Sequence, residues 1–505
     1  MSPVQRQFVD VGGRRVHLRF AGRGPALVLL HQSPQSSAAL LPWIDALSAD
    51  HAVFAPDTPG FGHSDPLPLT APDIRDYAQA LATLLDVLGL PRVLLCGVHT
   101  GAAIAAELAF IQPQRVAALV CDGLSMFDEG EQAALLERYL PPFEPQWDGG
   151  HLRWLFARLR EQHLYFPWFD GRPAARLAYP LPTPPRLRDA VLDVLDAGDG
   201  YRLAYRAAFC HQPQAGLARL AMPARVCYRA ADVLAPHATR CPPLPAGARL
   251  QVCQGGEPEL RAVMHEVFAS AAAAATPVVS ASVVQRAVSN TRCIVPAGGI
   301  EWAFTMAGVG AAAGAAADAA LDAAGPALLA LGDLGQPAVL PDSAAASLRL
   351  AVDWPGHGAS GGAAIPPLTA DTLAASLRAA LQTLRLPPAP LALQARGAAT
   401  ALASALARQC GAGCTAPRLE GAPPASPAAR QHFLQGLPAL QPDGHGGWLL
   451  EAWDWVRGAS LFDRWSPAVG LVQPAPDPWR VHQQVREVLR AGPLHTALWR
   501  AMLAD

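Results

Sequence analysis

The chain has no lysine: all 39 of its basic residues are arginine. In a sequence this rich in alanine and proline, that bias follows from composition and does not mark the arginines as phosphate-binding. Charge is also scarce. Only 16% of the 505 residues are charged and the formal net charge is -2, which gives no reason to invoke nucleic acid or an anionic membrane as a partner. No apolar run is long enough to cross a bilayer, and Met1-Ser2-Pro3-Val4-Gln5-Arg6 lacks a signal-peptide pattern, so a cytoplasmic protein is expected. The nine cysteines are odd in number and scattered, which argues for free thiols. Of these, Cys96, Cys121, Cys227 and Cys253 fall in or beside apolar runs as small hydrophobes. No His/Cys/Asp cluster has metal-ligand spacing and no glycine-rich loop reads as a phosphate or dinucleotide cradle, so neither metal nor cofactor is expected.

What the chain does contain is strand–helix alternation. Gln7–Phe20 reads as a hairpin turning at Gly12-Gly13. Ala26–Leu30, Ala52–Ala55, Val93–Cys96 and Ala117–Cys121 read as buried strands, with Ile74–Leu88 and Ala102–Phe110 as helices. This pattern predicts an α/β sheet, parallel in its core. A helical, aromatic-rich stretch, Glu129–Phe209, interrupts it. Ala224–Arg229 and Arg249–Cys253 then resume as strands, and Pro258–Phe268 closes as a helix.

The second half repeats the first. Gly24-Pro25-Ala26-Leu27-Val28-Leu29 recurs as Gly325-Pro326-Ala327-Leu328-Leu329-Ala330, and Asp57-Thr58-Pro59-Gly60-Phe61-Gly62-His63-Ser64 as Asp353-Trp354-Pro355-Gly356-His357-Gly358-Ala359-Ser360. Later matches link Leu140-Pro141 to Leu437-Pro438 and Tyr205-Arg206 to Trp499-Arg500. Their common order and nearly constant offset predict a tandem duplication. The expected organisation is a first domain at 1–275, a linker at 276–290 and a second, degenerate domain at 291–505. Gly308–Gly325 reads as a low-complexity loop or loose helix. The second copy stops before its last two strands and ends in the tryptophan-rich segment Leu437–Leu503.

At 97–101 the chain reads Gly97-Val98-His99-Thr100-Gly101 between an apolar strand and an alanine-rich helix. Glycines on both sides allow a sharp turn that presents the central side chain. In the second copy the corresponding position is Ala395 or Arg396. Together with His31-Gln32-Ser33-Pro34-Gln35-Ser36-Ser37 and Asp57 to Ser64, this turn resembles three motifs of the α/β-hydrolase superfamily: the HGxP-type loop, the D-x-P-G-x-G-x-S segment and the nucleophile elbow G-x-S-x-G. The likeness is good over the first 125 residues or so, and element order extends it to about residue 275.

The resemblance implies an α/β-hydrolase fold with a helical cap at about 129–209. In such a cap Trp147, Trp154, Tyr165, Phe166, Trp168 and Phe169 either line an apolar pocket or simply hold the helices together. It places substrate contacts at His31, Gln32, Trp147, Tyr165 and Trp168, and oxyanion donors at the backbone N–H groups of Ser33 and Thr100. Asp232 matches the acid position, and Asp122 an alternative acid site. Two of the three parts of a serine triad are missing, however. His99 replaces the nucleophile, and Cys253-Gln254-Gly255-Gly256-Glu257-Pro258 has no histidine where one is expected.

Two readings follow. In the first, functions are redistributed. An aspartate orients His99, whose other nitrogen acts as general base or nucleophile on a small ester, thioester or lactone. The same pocket also suits a lyase or decarboxylase. In the second, catalysis is lost and the fold binds a small ligand or a protein partner. Retention of both elbow glycines, the Ser33 loop, Asp122, Asp232 and the cap favours the first. The second copy is expected to pair with the first as a built-in pseudo-dimer. On that expectation residues 1–275 expressed alone lose solubility or stability against the full chain in thermal unfolding; a soluble, monomeric and equally stable fragment refutes the pairing.

Overall fold

In the computed structural model the described residues are 3–280, 284, 288, 289, 291–308, 326–342, 346–362, 367–384, 386, 389–470, 474 and 476–504. They divide into two units. One comprises Met1–Glu144 and Ala157–Ala287; the other comprises Pro145–Phe156 and Val288–Asp505.

The first unit is built on a nine-stranded sheet of β1 (Gln5–Val11), β2 (Arg14–Ala21), β3 (Gly24–Leu30), β4 (Ala52–Pro56), β5 (Val93–Val98), β6 (Val116–Asp122), β7 (Ala224–Arg229), β8 (Ala248–Cys253) and β9 (Pro277–Val278). The spatial order is β1-β2-β4-β3-β5-β6-β7-β8, with β9 beside β3. β1, β2 and β9 pair antiparallel with their neighbours and the remaining pairs are parallel. β4, β5 and β6 are buried at every position, as parallel strands must be when helices cover both faces. On one face α1 (Leu41–Leu47) and the helix Glu257–Ala271 supply Trp43, Ile44, Leu47, Leu260, Met264 and Phe268 to the core. Over β3, β5 and β6 lies α3 (Thr100–Ile111), with α2 (Ile74–Val87) packed beside it. Between β6 and β7 come α4 (Glu129–Arg138), α5 (Gly150–Gln162), α6 (Pro184–Ala197) and α7 (Tyr201–Cys210). Residues 276–278, expected in the linker, instead belong to this sheet: Thr276 N–H donates to Arg92 O (2.8 Å) and β9 pairs with Gly24 and Pro25.

Loops at the carboxyl ends of the strands are organised by one buried carboxylate. Asp57, 1% exposed, accepts from His17 Nδ1–H at 2.8 Å, from the Ser37 N–H at 2.8 Å and the Ser37 hydroxyl, and from His63 N–H at 2.9 Å. These donors come from β2, from the loop after β3 and from the loop after β4. Burial alone would favour the neutral acid. The neighbouring His17 and Arg19 reverse that and hold Asp57 well below the usual carboxylate range. Gly62 (φ 53°) is required here, because a Cβ would stand 2.2 Å from Asp57 Oδ2.

The second unit contains a six-stranded sheet of β10 (Arg292–Ala297), β11 (Ile300–Gly308), β12 (Ala327–Leu331), β13 (Leu348–Val352), β14 (Ala392–Arg396) and β15 (Arg418–Glu420), in the order β10-β11-β13-β12-β14-β15. That is the order of β1 to β6. Its loop after β13 repeats the Asp57 pattern: Ala359 N–H donates to buried Asp353 Oδ2 at 2.9 Å, and a Cβ on Gly358 would stand 2.2 Å from the same oxygen. The turn after β14 corrects the expected elbow position. Strand register places Gly397 (φ 57°), not Ala395 or Arg396, opposite in role to His99 (φ 47°). His357 is buried and bonds His495 at 3.0 Å. The stretch 309–325 lies outside the described residues. Pro145–Phe156 clusters with this unit, where Gly149 closes on Trp453 and Gly446 on Phe156; Gly149 and Gly446 are as far apart in sequence as Phe156 and Trp453.

Replacing Asp57 by Asn removes the charge that these donors share, and destabilises the first unit by about 3 kcal/mol. Urea unfolding of the full chain, comparing Asp57→Asn with wild type, measures it; an unchanged midpoint contradicts the role given to this carboxylate.

Candidate active site

β5 ends at Val98 and α3 begins at Thr100, so the whole change of direction falls on His99, with φ 47° and ψ -108°. A non-glycine residue in this region is strained and persists only where its surroundings enforce it. Here they do. A Cβ on Gly97 would meet Gly101 O at 2.1 Å, and one on Gly101 would meet Leu30 O at 2.3 Å, so strand and helix touch backbone to backbone around the turn. His99 N–H also donates to Asp122 O at 2.8 Å, tying the turn to β6.

The imidazole lies across Gly123 (φ 68°), where a Cβ would stand 2.4 Å from Cδ2, and its Nε2 reaches Asp232 Oδ2 at 2.9 Å and Oδ1 at 3.1 Å. Nδ1 has no hydrogen bond to any described residue, and the side chain is 25% exposed. Asp232 follows β7 in a tight turn, accepts from Leu234 N–H at 2.9 Å and meets Arg229 Nη2 at 3.2 Å. The same guanidinium is 3.1 Å from Asp122 Oδ2 through Nε. Of the two candidate aspartates, then, Asp232 touches the histidine. Asp122, wholly buried, touches Arg229.

These contacts set the charges. Burial disfavours a carboxylate at Asp232, but the charge and hydrogen bond of His99, the Leu234 N–H and Arg229 together bring it down to about 2. Burial likewise disfavours an imidazolium at His99. The charge and hydrogen bond of Asp232, assisted by Asp122 and opposed by Arg229, outweigh it and raise His99 above the ordinary value of 6.5. Asp122 moves the other way: burial pushes it up, though Arg229 and His99 limit the rise.

On the opposite side of the turn stand the expected oxyanion donors. Thr100 N–H opens α3, whose first turn has no intrahelical acceptors. Ser33 N–H makes only a long 3.4 Å contact with Thr100 Oγ1. In the second unit the two equivalent N–H groups, Leu334 and Ala398, both lie 2.9 Å from Asp333 Oδ1.

The expected substrate contacts fare differently. His31 is 1% exposed; its Nε2 accepts from Thr58 N–H at 2.9 Å and its Nδ1 donates to Gln32 O at 3.0 Å, so neither nitrogen is left for a substrate. Gln32 is half-buried beside it. Trp147 clusters with the second unit, its carbonyl accepting from Trp453 Nε1 at 3.0 Å. Trp168 donates to Tyr139 O at 3.1 Å and its ring lies 5.6 Å from the Arg158 guanidinium, while the backbone of Tyr165 bridges to that of Arg176. Arg229 and Gly123 were not anticipated from the sequence. The spacing Arg229-Ala230-Ala231-Asp232 and a glycine directly after β6 were the available signals.

An NMR titration of the imidazoles tests the dyad. His99 titrates above 6.5 in wild type, and its midpoint falls in Asp232→Asn, where burial is left largely unopposed. A midpoint that does not move disproves the electrostatic assignment.

Comparison with known proteins agrees with the sheet. Residues 25–209 match the family model described as alpha/beta hydrolase fold. An uncharacterised protein of Mycobacterium tuberculosis is 34% identical over 120 residues, covering 24% of this chain and 35% of that protein. Epoxide hydrolase 3 of Siraitia grosvenorii is 30% identical over 125 residues, covering 24% and 39%. The crystal structure of epoxide hydrolase A from Mycobacterium thermoresistibile has a TM-score of 0.41 at 21% identity, covering 52% of this chain and 97% of that one. The chain thus spans little more than a third of the curated relatives it matches. Strand order, the strained turn and the match over residues 25–209 together give the first unit of this chain the α/β-hydrolase fold.

Proposed function

We propose that the first unit is a hydrolase of small carbonyl compounds in which His99, oriented by Asp232, is the general base. One observation carries this reading. The strained turn is kept for an imidazole whose Nε2 is held by a carboxylate and whose Nδ1 has no hydrogen-bond partner among the described residues. In this scheme Nε2–H donates to Asp232 and Nδ1 holds the lone pair. Nδ1 takes a proton from water as the water oxygen bonds to the carbonyl carbon and the carbonyl electron pair moves onto its oxygen. The N–H groups of Ser33 and Thr100 hold that oxyanion. Collapse breaks the bond to the leaving alcohol or thiol, which receives the proton back from the imidazolium. The paired contacts of Leu334 and Ala398 on one oxygen of Asp333 support the idea that two such N–H groups can converge on a single oxyanion.

In this reading α4–α7 act as a cap. Two contacts support it: Tyr179 Oη donates to Ala231 O at 2.5 Å in the Asp232 turn, and Asp193 of α6 is hydrogen-bonded to Ser36 in the loop after β3. The second unit is read as a degenerate copy that retains the first six strands and a set of cap-like helices. The 14-residue helices Pro184–Ala197 and Pro478–Ala491 end at glycines with matching geometry, Gly198 (φ 55°) and Gly492 (φ 54°). The shared strand order and the matched Asp57 and Asp353 loops support the same reading.

Wild type, His99→Ala and Asp232→Asn are assayed on short acyl esters, thioesters and lactones, with one epoxide added because some relatives are named for that substrate. The expected loss in kcat/KM is about 100-fold or more for His99→Ala. Wild-type activity falls as pH drops through the raised His99 value, since protonation removes the base, and a fluorophosphonate probe labels nothing. Labelling, or activity that survives His99→Ala, overturns the assignment.

A further inference from the structure

The second unit contains a cavity of about 1140 Å³ at the carboxyl ends of β12, β14 and β15. Open α/β sheets bind ligands at this end of their parallel strands. Among the described residues that line it there is no histidine to perform the chemistry proposed for His99. Gly397 brings no side chain to the turn, and the two N–H groups that would face an oxyanion are closed by Asp333 Oδ1. Arg464 fixes Asp333 in that position through Oδ2.

Four arginines and four carboxylates line the cavity, but three of the carboxylates, Asp333, Glu420 and Asp463, are already engaged, leaving Asp342. Glu420 alone serves two guanidinium groups, Arg396 Nε at 2.8 Å and Arg418 Nε at 3.1 Å, contacts through Nε that leave the Nη groups of both arginines their hydrogen-bonding capacity. Arg480 makes no side-chain hydrogen bond or ion pair with any described residue. Beside these donors stand the apolar surfaces of Leu340, Phe462 and Trp465, the last held 4.6 Å from the Phe433 ring. Planar forks beside apolar walls match a ligand with an acidic head and a hydrophobic body.

We propose that this cavity is a non-catalytic binding site for a small organic anion, whose carboxylate or phosphate is held by Arg418 and Arg480. The proposal is independent of the activity assigned to the first unit.

The test titrates benzoate, phenyl phosphate and, as the uncharged control, benzamide into the full-length protein by isothermal calorimetry. At least one of the two anions binds and benzamide does not; which anion binds identifies the head group. The exposed double substitution Arg418→Gln/Arg480→Gln weakens that binding by about tenfold or more, while His99→Ala leaves it unchanged. The site is refuted if neither anion binds, if benzamide binds as well as benzoate, or if the double variant binds like wild type. Loss of binding in His99→Ala places the anion in the first unit and refutes it equally. Circular dichroism of the double variant, unchanged from wild type, excludes unfolding as the cause of any loss.

Discussion

A carboxylate removed from water must be matched by donors, and at Asp57 those donors are drawn from three separate segments of chain. His17 on β2, Ser37 in the loop after β3 and His63 in the loop after β4 all converge on it. The loop that carries Ser33 therefore cannot relax independently of the sheet, and Ser33 is held beside Thr100 at the foot of α3. Everything at the carboxyl edge of the first unit depends on this anchoring. The second unit contains the same device at Asp353, with a glycine again pressed against the carboxylate. The backbone needs the device to shape these loops whether or not chemistry follows.

The charges around His99 form a chain. Asp122 pairs with Arg229, Arg229 with Asp232, and Asp232 with His99. A buried carboxylate without a cation would take up a proton, so Arg229 keeps Asp122 from rising further and at the same time steadies Asp232. Asp232 is left strongly ionised beside an imidazole that it makes more basic. Gly123 matters for a steric reason: any side chain there would occupy the space of the ring. The ring is thus aimed sideways at Asp232 and spans a gap that a serine hydroxyl could not.

The two units diverge at the same turn. The first places His99 there and leaves the N–H groups of Ser33 and Thr100 without a strong acceptor. The second places Gly397 there and fills the equivalent N–H pair with Asp333. With the same strand order around it, one turn is arranged to present a reactive group and the other is closed by an internal carboxylate beneath a wide cavity.

Hydrophobic periodicity determined most of the architecture. The strands Val93–Cys96 and Ala117–Cys121 and the helix Ile74–Leu88 lie within a residue or two of their observed ends, because burial on a fixed repeat is a local property of sequence. The motifs around His31, Asp57 and His99, together with Asp232, were legible for the same reason: each is a short contiguous segment. What the sequence could not decide was how distant segments meet. It left the choice between Asp122 and Asp232 open, since both follow strands and only the twist and spacing of β6 and β7 put Asp232 within 2.9 Å of the ring. It assigned His31 to a pocket wall, whereas burial turned its ring inward onto Thr58 N–H and Gln32 O. Arg229 and Asp333 were invisible for a related reason. Each acts by neutralising or accepting from groups remote in the chain, and an electrostatic partner is defined by distance in space, which only the folded structure sets.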